Sequence, residues 1–298
     1  MRLTGILPAL MTPYDSSGKI SEPMLCRMVS HYVQTGVDGL YVCGGTGEGV
    51  LLSVAERKQV AEVVVRETRH RVPVIIHVGA VSTPDAVELA THAERTSAEG
   101  VASVPPFFYR GSTEAIYQHY AAIAERCGLP LLLYNIPAVT GVTVTPDMMA
   151  RFMEIPTVIG MKFSSSDLFQ MHQILQLDHG RLNVLSGNDE IFLAALAMGA
   201  HGHIGLTLNF MPKLFAQIFS AFRAGKIAEA QNAQFLACQF IGVLVRYPVI
   251  PAAKEIMRWK GFDCGIGRGP LERLTDGQKA SLRRELEAVH FFDKDLGL

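Results

Sequence analysis

Eight short apolar runs, at residues 3–10, 39–42, 73–78, 101–104, 131–134, 158–162, 182–185 and 203–206, alternate with longer helical stretches as far as about residue 225. None alternates cleanly between apolar and polar residues. Such continuous apolarity, rich in Val and Ile, suits parallel strands buried on both faces. Repeated strand–helix alternation predicts an α/β fold, a closed (β/α)8 TIM barrel; an open doubly wound sheet is the alternative, and eight regularly spaced units favour closure. Helix starts are legible as well. Ser53-Val-Ala-Glu56 is a capping box opening a helix that runs towards Glu67, with Val60, Ala61 and Val64 as its apolar stripe. Thr83-Pro84 and Thr145-Pro146 each read as a cap followed by proline at the first helical position.

After residue 222 the strand pattern stops. Segments 226–244, 251–260 and 276–289 read as helices, the last opened by Thr275-Asp-Gly-Gln278. The expected division is a barrel over residues 1–222 and a C-terminal helical region over 223–298. A length of 298 residues leaves room for that addition to a barrel of roughly 250. Twenty-seven Lys and Arg face 28 Asp and Glu, without a long run of one sign, so no nucleic-acid partner is expected. The five cysteines are scattered and form no CxxC pair, which reads as free thiols in a reducing compartment. Gly5 and Pro8 interrupt the apolar N-terminal stretch, as in a first strand rather than a signal peptide. The most apolar long segment, 240–253, is broken by Arg246, Pro248 and Pro251. No membrane association and a cytoplasmic location are therefore expected.

In such a barrel, chemistry sits where strands end. Lys162 finishes the run Val158-Ile-Gly-Met-Lys162, where partial desolvation favours the neutral amine that attacks carbonyls. A lysine snorkelling from a strand end is the competing reading. Tyr134 ends Leu131-Leu-Leu-Tyr134 and could pass a proton, although a structural tyrosine is commoner. The loop Cys43-Gly-Gly-Thr-Gly-Glu-Gly49 can turn backbone N–H groups onto an anion such as a carboxylate. It fails as a dinucleotide fingerprint, because the third glycine would fall at Val50. Glu48 could be catalytic, although a buried or helix-proximal structural acid is the commoner case. Gly187-Asn-Asp-Glu190 follows the seventh strand; Asp189 and Glu190 could bind a polyol or a metal, or Asp189 could cap the helix starting at Ile191. His201 and His203, two apart on a strand, share a face without an evident third ligand, so no metal is expected.

Together these places resemble the dihydrodipicolinate synthase and N-acetylneuraminate lyase superfamily of class I aldolases, over essentially the whole chain. Gly44-Gly-Thr-Gly-Glu48, Tyr134-Asn-Ile-Pro137 and Gly160-Met-Lys162 occur in order on the second, fifth and sixth strands, and Arg268-Gly-Pro-Leu271 closes the likeness. The resemblance implies a homotetramer, a Schiff base at Lys162, a proton-transferring Tyr134, and no cofactor or metal. It places the carboxylate of a 2-oxo acid at Gly45 and Thr46, with the backbone near Ile204 closing the pocket. Val139 stands where dihydrodipicolinate synthases carry an arginine. Ser164, two after the lysine, and Gly187-Asn-Asp-Glu190 look like the sialic-acid lyase branch, whose acidic pair holds sugar hydroxyls; Tyr109 is similarly placed near the mouth. Two positions depart from that branch. Gly45 replaces a hydroxyl residue of the glycine loop, and Leu206 replaces a serine. The expected activity is reversible splitting of a 2-oxo-3-deoxy acid, such as N-acetylneuraminate or a related sugar acid, into pyruvate and an aldehyde. Condensation of pyruvate with another aldehyde, and a pyruvate-binding barrel without turnover, are the alternatives.

Overall fold

A computed structural model describes residues 2–109 and 111–298. The strands are β1 Gly5–Pro8, β2 Leu40–Val42, β3 Val74–His77, β4 Gly100–Ser103, β5 Leu131–Asn135, β6 Val158–Phe163, β7 Asn183–Ser186 and β8 Gly202–Gly205. Each lies at one of the eight apolar runs. The helices are α1 Glu22–Thr35, α2 Val54–Thr68, α3 Thr83–Arg95, α4 Thr113–Arg126, α5 Pro137–Thr140, α6 Pro146–Phe152, α7 Leu168–Gln176, α8 Phe192–Ala197 and α9 Pro212–Arg223. Then come α10 Ile227–Leu244, α11 Val249–Trp259 and α12 Asp276–Ala288.

All strand pairs are parallel, from β2 through β8 to β1 in sequence order. A bridge between Ala9 and Tyr41, with Leu10 N–H donating to the Tyr41 carbonyl at 2.8 Å, brings β1 against β2. The expected barrel is thus the observed one. Its interior is packed by Leu7, Tyr41, Ile75, Ala102, Leu132, Leu185 and Ile204, while Leu40, Val42, Leu131, Leu133 and Met161 face the helices. Both faces of each strand are buried, which is why the strands read as unbroken apolar runs. Asn183 closes the bottom, exchanging hydrogen bonds of 2.7 and 2.9 Å with the Leu3 backbone.

The capping boxes at Ser53 and Thr275 form as expected, and Thr145 caps α6. At α3 the cap is Ser82 and not Thr83. Ser82 accepts from the Asp85 N–H, leaving Thr83 inside the first turn with its hydroxyl 2.9 Å from His119 Nδ1. The junction at 245–248 bends α10 and α11 apart by 112°, and among the described residues no single helix is long and apolar enough to cross a membrane.

Candidate active site

Register brings the two leading candidates together. Tyr134 on β5 is the direct partner of Lys162 on β6, and both face the barrel interior. A bulge makes this possible: Val158 pairs with Leu131, but Gly160 pairs with Leu132, so one extra residue lies between them. Val158 can then pack outward while Lys162, an even number of residues later, points inward. The lysine is 4% exposed, with Nζ 4.2 Å from the centre of the Tyr134 ring and 4.3 Å from that of Tyr41.

The aromatic wall around the lysine extends beyond what sequence reasoning named. Tyr41 meets Tyr134 edge-on at 6.0 Å, and His77 meets Tyr134 at 5.9 Å. Gly44 makes room for this wall, since a Cβ there would lie 2.6 Å from Tyr41 Cε1. Burial, then the nearby Arg57 and Lys162 charges, pushes the His77 pKa well below its ordinary value, so the ring is neutral beside the lysine. Its Nε2 accepts from Val104 N–H at 3.4 Å. Arg57 supports the strand from behind, donating to the carbonyls of His77 at 2.6 Å and Gly79 at 3.0 Å. The rule that found Lys162, a polar residue ending an apolar strand, also identifies His77.

The glycine loop curls at the top of β2. Gly49 N–H donates to Gly44 and Glu48 N–H to Gly45, each at 3.0 Å, while among the described residues the N–H groups of Gly45 and Thr46 meet no partner. Gly49 is obligatory here, because a Cβ would lie 1.8 Å from the Cys43 carbonyl oxygen. Thr46 lines a pocket of about 190 Å³ together with Tyr134, Lys162, Gly187, Asp189, Glu190 and Ile204. Glu48 turns away from the pocket. Its buried carboxylate lies 2.6 Å from Lys254 Nζ of α11 and accepts from Arg268 N–H at 2.7 Å. Lys254 also donates to the Thr12 carbonyl at 3.0 Å, and burial lowers its pKa despite the opposing carboxylate.

Ser164 and Gly187 sit beside the lysine. The buried Ser164 hydroxyl lacks a hydrogen-bond partner among the described residues. A Cβ at Gly187 would lie 1.9 Å from Ser164 Oγ and 3.2 Å from Lys162 Cε, so glycine keeps that space open. Asp189 caps no helix; it lines the pocket and ties two segments of the chain together. One oxygen accepts from His203 Nε2 at 2.8 Å and the other from Thr207 N–H at 2.7 Å. Burial raises its pKa, but these bonds outweigh burial and hold it below the usual value. His203 and His201 have separate partners, His201 bonding Arg2 and the strand backbone at Val184. Glu190 is exposed at the rim. The backbone of this segment is gripped by α10: Gln234 Nε2 donates to the Asp189 carbonyl at 3.1 Å and Cys238 Sγ to that of Glu190 at 3.3 Å. Val139 and Tyr109 are 73% and 74% exposed.

A family model described as the dihydrodipicolinate synthetase family matches residues 2–289. The chain is 35% identical over 289 residues to an N-acetylneuraminate lyase of Rhizobium meliloti, covering 97% of this chain and 96% of the relative. It is 40% identical over 258 residues to an N-acetylneuraminate lyase of Citrobacter koseri, covering 86% of each. Among solved structures it superposes on the Ruminococcus gnavus sialic acid aldolase with a TM-score of 0.95 at 30% identity, over 99% of this chain and 100% of the other.

Proposed function

The chain belongs to the dihydrodipicolinate synthetase family as a class I pyruvate-dependent aldolase, a carbon–carbon lyase, and from that premise we propose that Lys162 is its Schiff-base residue. The observation that carries the proposal is Lys162 at the floor of the pocket with Tyr134 as its neighbour in register. The Gly45 and Thr46 amides receive the carboxylate of the 2-oxo acid, and Ser164 offers its hydroxyl to the same end of the substrate. Lys162 attacks C2, water leaves, and the protonated imine draws electrons from C3. Loss of a C3 proton gives an enamine. Its C3 then bonds to the aldehyde carbon while Tyr134 donates a proton to the aldehyde oxygen, and hydrolysis returns the free lysine. Cleavage runs the same steps backwards.

The substrate is a 2-oxo-3-deoxy acid, split into pyruvate and an aldehyde. The names of the relatives make N-acetylneuraminate and related sugar acids the first compounds to try. Assembly as a homotetramer and a cytoplasmic location belong to the same reading; the large exposed side chains Phe108 and Tyr109 support the assembly. Incubation with pyruvate and borohydride should leave a reduced adduct on Lys162, read by peptide mass. An adduct on another lysine, or none, overturns the assignment.

A further inference from the structure

Two residues of the glycine loop other than glycine hold left-handed backbone angles, Cys43 with φ 59° and Glu48 with φ 58°. Such angles cost an ordinary residue free energy and persist where the surroundings fix them. Here the fixing groups come from behind the loop. The Thr12 hydroxyl, buried after β1, donates to the Gly47 carbonyl at 2.6 Å. The Thr12 carbonyl accepts from Lys254 Nζ at 3.0 Å, and that same ammonium pairs with Glu48 at 2.6 Å. The other Glu48 oxygen accepts from Arg268 N–H, while the Arg268 guanidinium is held by both oxygens of Glu56 and by the Gly18 carbonyl. Arg268-Gly-Pro-Leu271 and α11, both beyond the eighth strand, therefore grip the loop that ends β2. Glu48 N–H donates in turn to the Gly45 carbonyl at 3.0 Å, so what fixes Glu48 also fixes the turn that carries the free N–H groups of Gly45 and Thr46.

We infer that Thr12, Glu48 and Lys254 are positioning residues for carboxylate recognition, aiming the Gly45 and Thr46 amides at the carboxylate of the 2-oxo acid. The inference rests on the aldolase reading above and deepens it. Two backbone donors bind an anion well only while their directions are fixed, and a loop freed from its ties relaxes its strained residues first. The carboxylate is held alike before and during the chemistry, so its loss weakens binding rather than the bond-forming step.

The test compares borohydride trapping on Lys162 of pyruvate and of acetone, a ketone of the same size class that has no carboxylate. Both are used well below saturation, in the parent, in Thr12→Val, and in Glu48→Gln combined with Lys254→Met, which orphans no buried charge. The intrinsic difference between the two ketones cancels when variants are compared with the parent. The pyruvate-to-acetone ratio should fall about tenfold in the double variant, the scale of one hydrogen bond to a charged group. It should fall less in Thr12→Val, where one neutral hydrogen bond is lost. The half-saturating pyruvate concentration should rise in step, with the maximal trapping rate little changed. No adduct on Lys162 in the parent removes the aldolase reading and this inference with it. A parental ratio in both variants, whether trapping of the two ketones drops together or not at all, makes the tie purely structural and overturns this inference alone. Should the double variant fail to fold, the ratio in Thr12→Val decides.

Discussion

Glu48→Gln should destabilise the protein severely at neutral pH and make its stability rise with pH. The substitution keeps the side chain's shape but leaves Lys254 facing an amide, with both side chains at most 2% exposed. Breaking a buried pair from one side costs about 3–5 kcal/mol. An independent limit comes from titration. Lysine can avoid a buried unpaired charge by releasing its proton, and from an ordinary value of 10.5 down to pH 7 that costs about 4.8 kcal/mol at about 1.4 per unit. The two figures agree. The sign follows from linkage: Lys254 deprotonates at lower pH in the folded variant than in the unfolded chain, so the unfolded chain binds more protons between those values. Stability should climb by up to about 1.4 kcal/mol per pH unit until the pH reaches the ordinary lysine value. Urea melts of the parent, Glu48→Gln and Glu48→Gln with Lys254→Met, at pH 7 and 9, measure this directly. The double variant should be more stable than the single at pH 7, because the orphaned charge is gone. A loss under about 1 kcal/mol in Glu48→Gln, or a pH slope equal to the parent's, would refute the reasoning.

Tyr134→Phe should lower kcat by about 10²–10⁴-fold while pyruvate trapping on Lys162 persists, as separate rate and mass measurements would show. Gly187→Ala should lose adduct formation with little change in melting temperature, since its Cβ would strike Ser164 and crowd Lys162. Asp189→Asn should cost about 1–3 kcal/mol in urea melts through its lost charge-assisted bonds. The parent's Asp189 contribution is present above the ordinary carboxylate value and lost as pH falls through the lower folded value, a dependence the variant should lack. Glu56, held at about 2 chiefly by its bond from Arg268, should behave alike; Glu56→Gln should remove about 1–2 kcal/mol of acid-sensitive stability, discounted for a side chain 29% exposed.

The barrel was readable because burial on both faces leaves its mark residue by residue, and Lys162 and Tyr134 were readable because charge and hydroxyl interrupt apolar runs at strand ends. Which way they point was less accessible. Val158 and Lys162 are evenly spaced, so a strict two-residue repeat assigns both to one face, and only pairing with β5 reveals the bulge that separates them. Asp189 illustrates another limit. A carboxylate after a strand suits a substrate contact, a cap or a tie, and the choice depends on His203, which β8 carries to it from 14 residues away. Tyr41 was hidden between Leu40 and Val42, apolar neighbours on the opposite face, in a run too short to show a period.

The hold of α10 on the segment after β7 bears on how such an enzyme can be rebuilt. Asn188 and Ile191 supply no side-chain cap there; Gln234 Oε1 accepts instead from Leu193 N–H at 2.9 Å, and Gln234 and Cys238 donate to the carbonyls of Asp189 and Glu190. The rim loop and the helix are therefore a single heritable unit. A chimaera that imported the loop from a relative with α10 left behind would carry the new side chains on a backbone missing its donors. Transplants aimed at new substrates should exchange the two together.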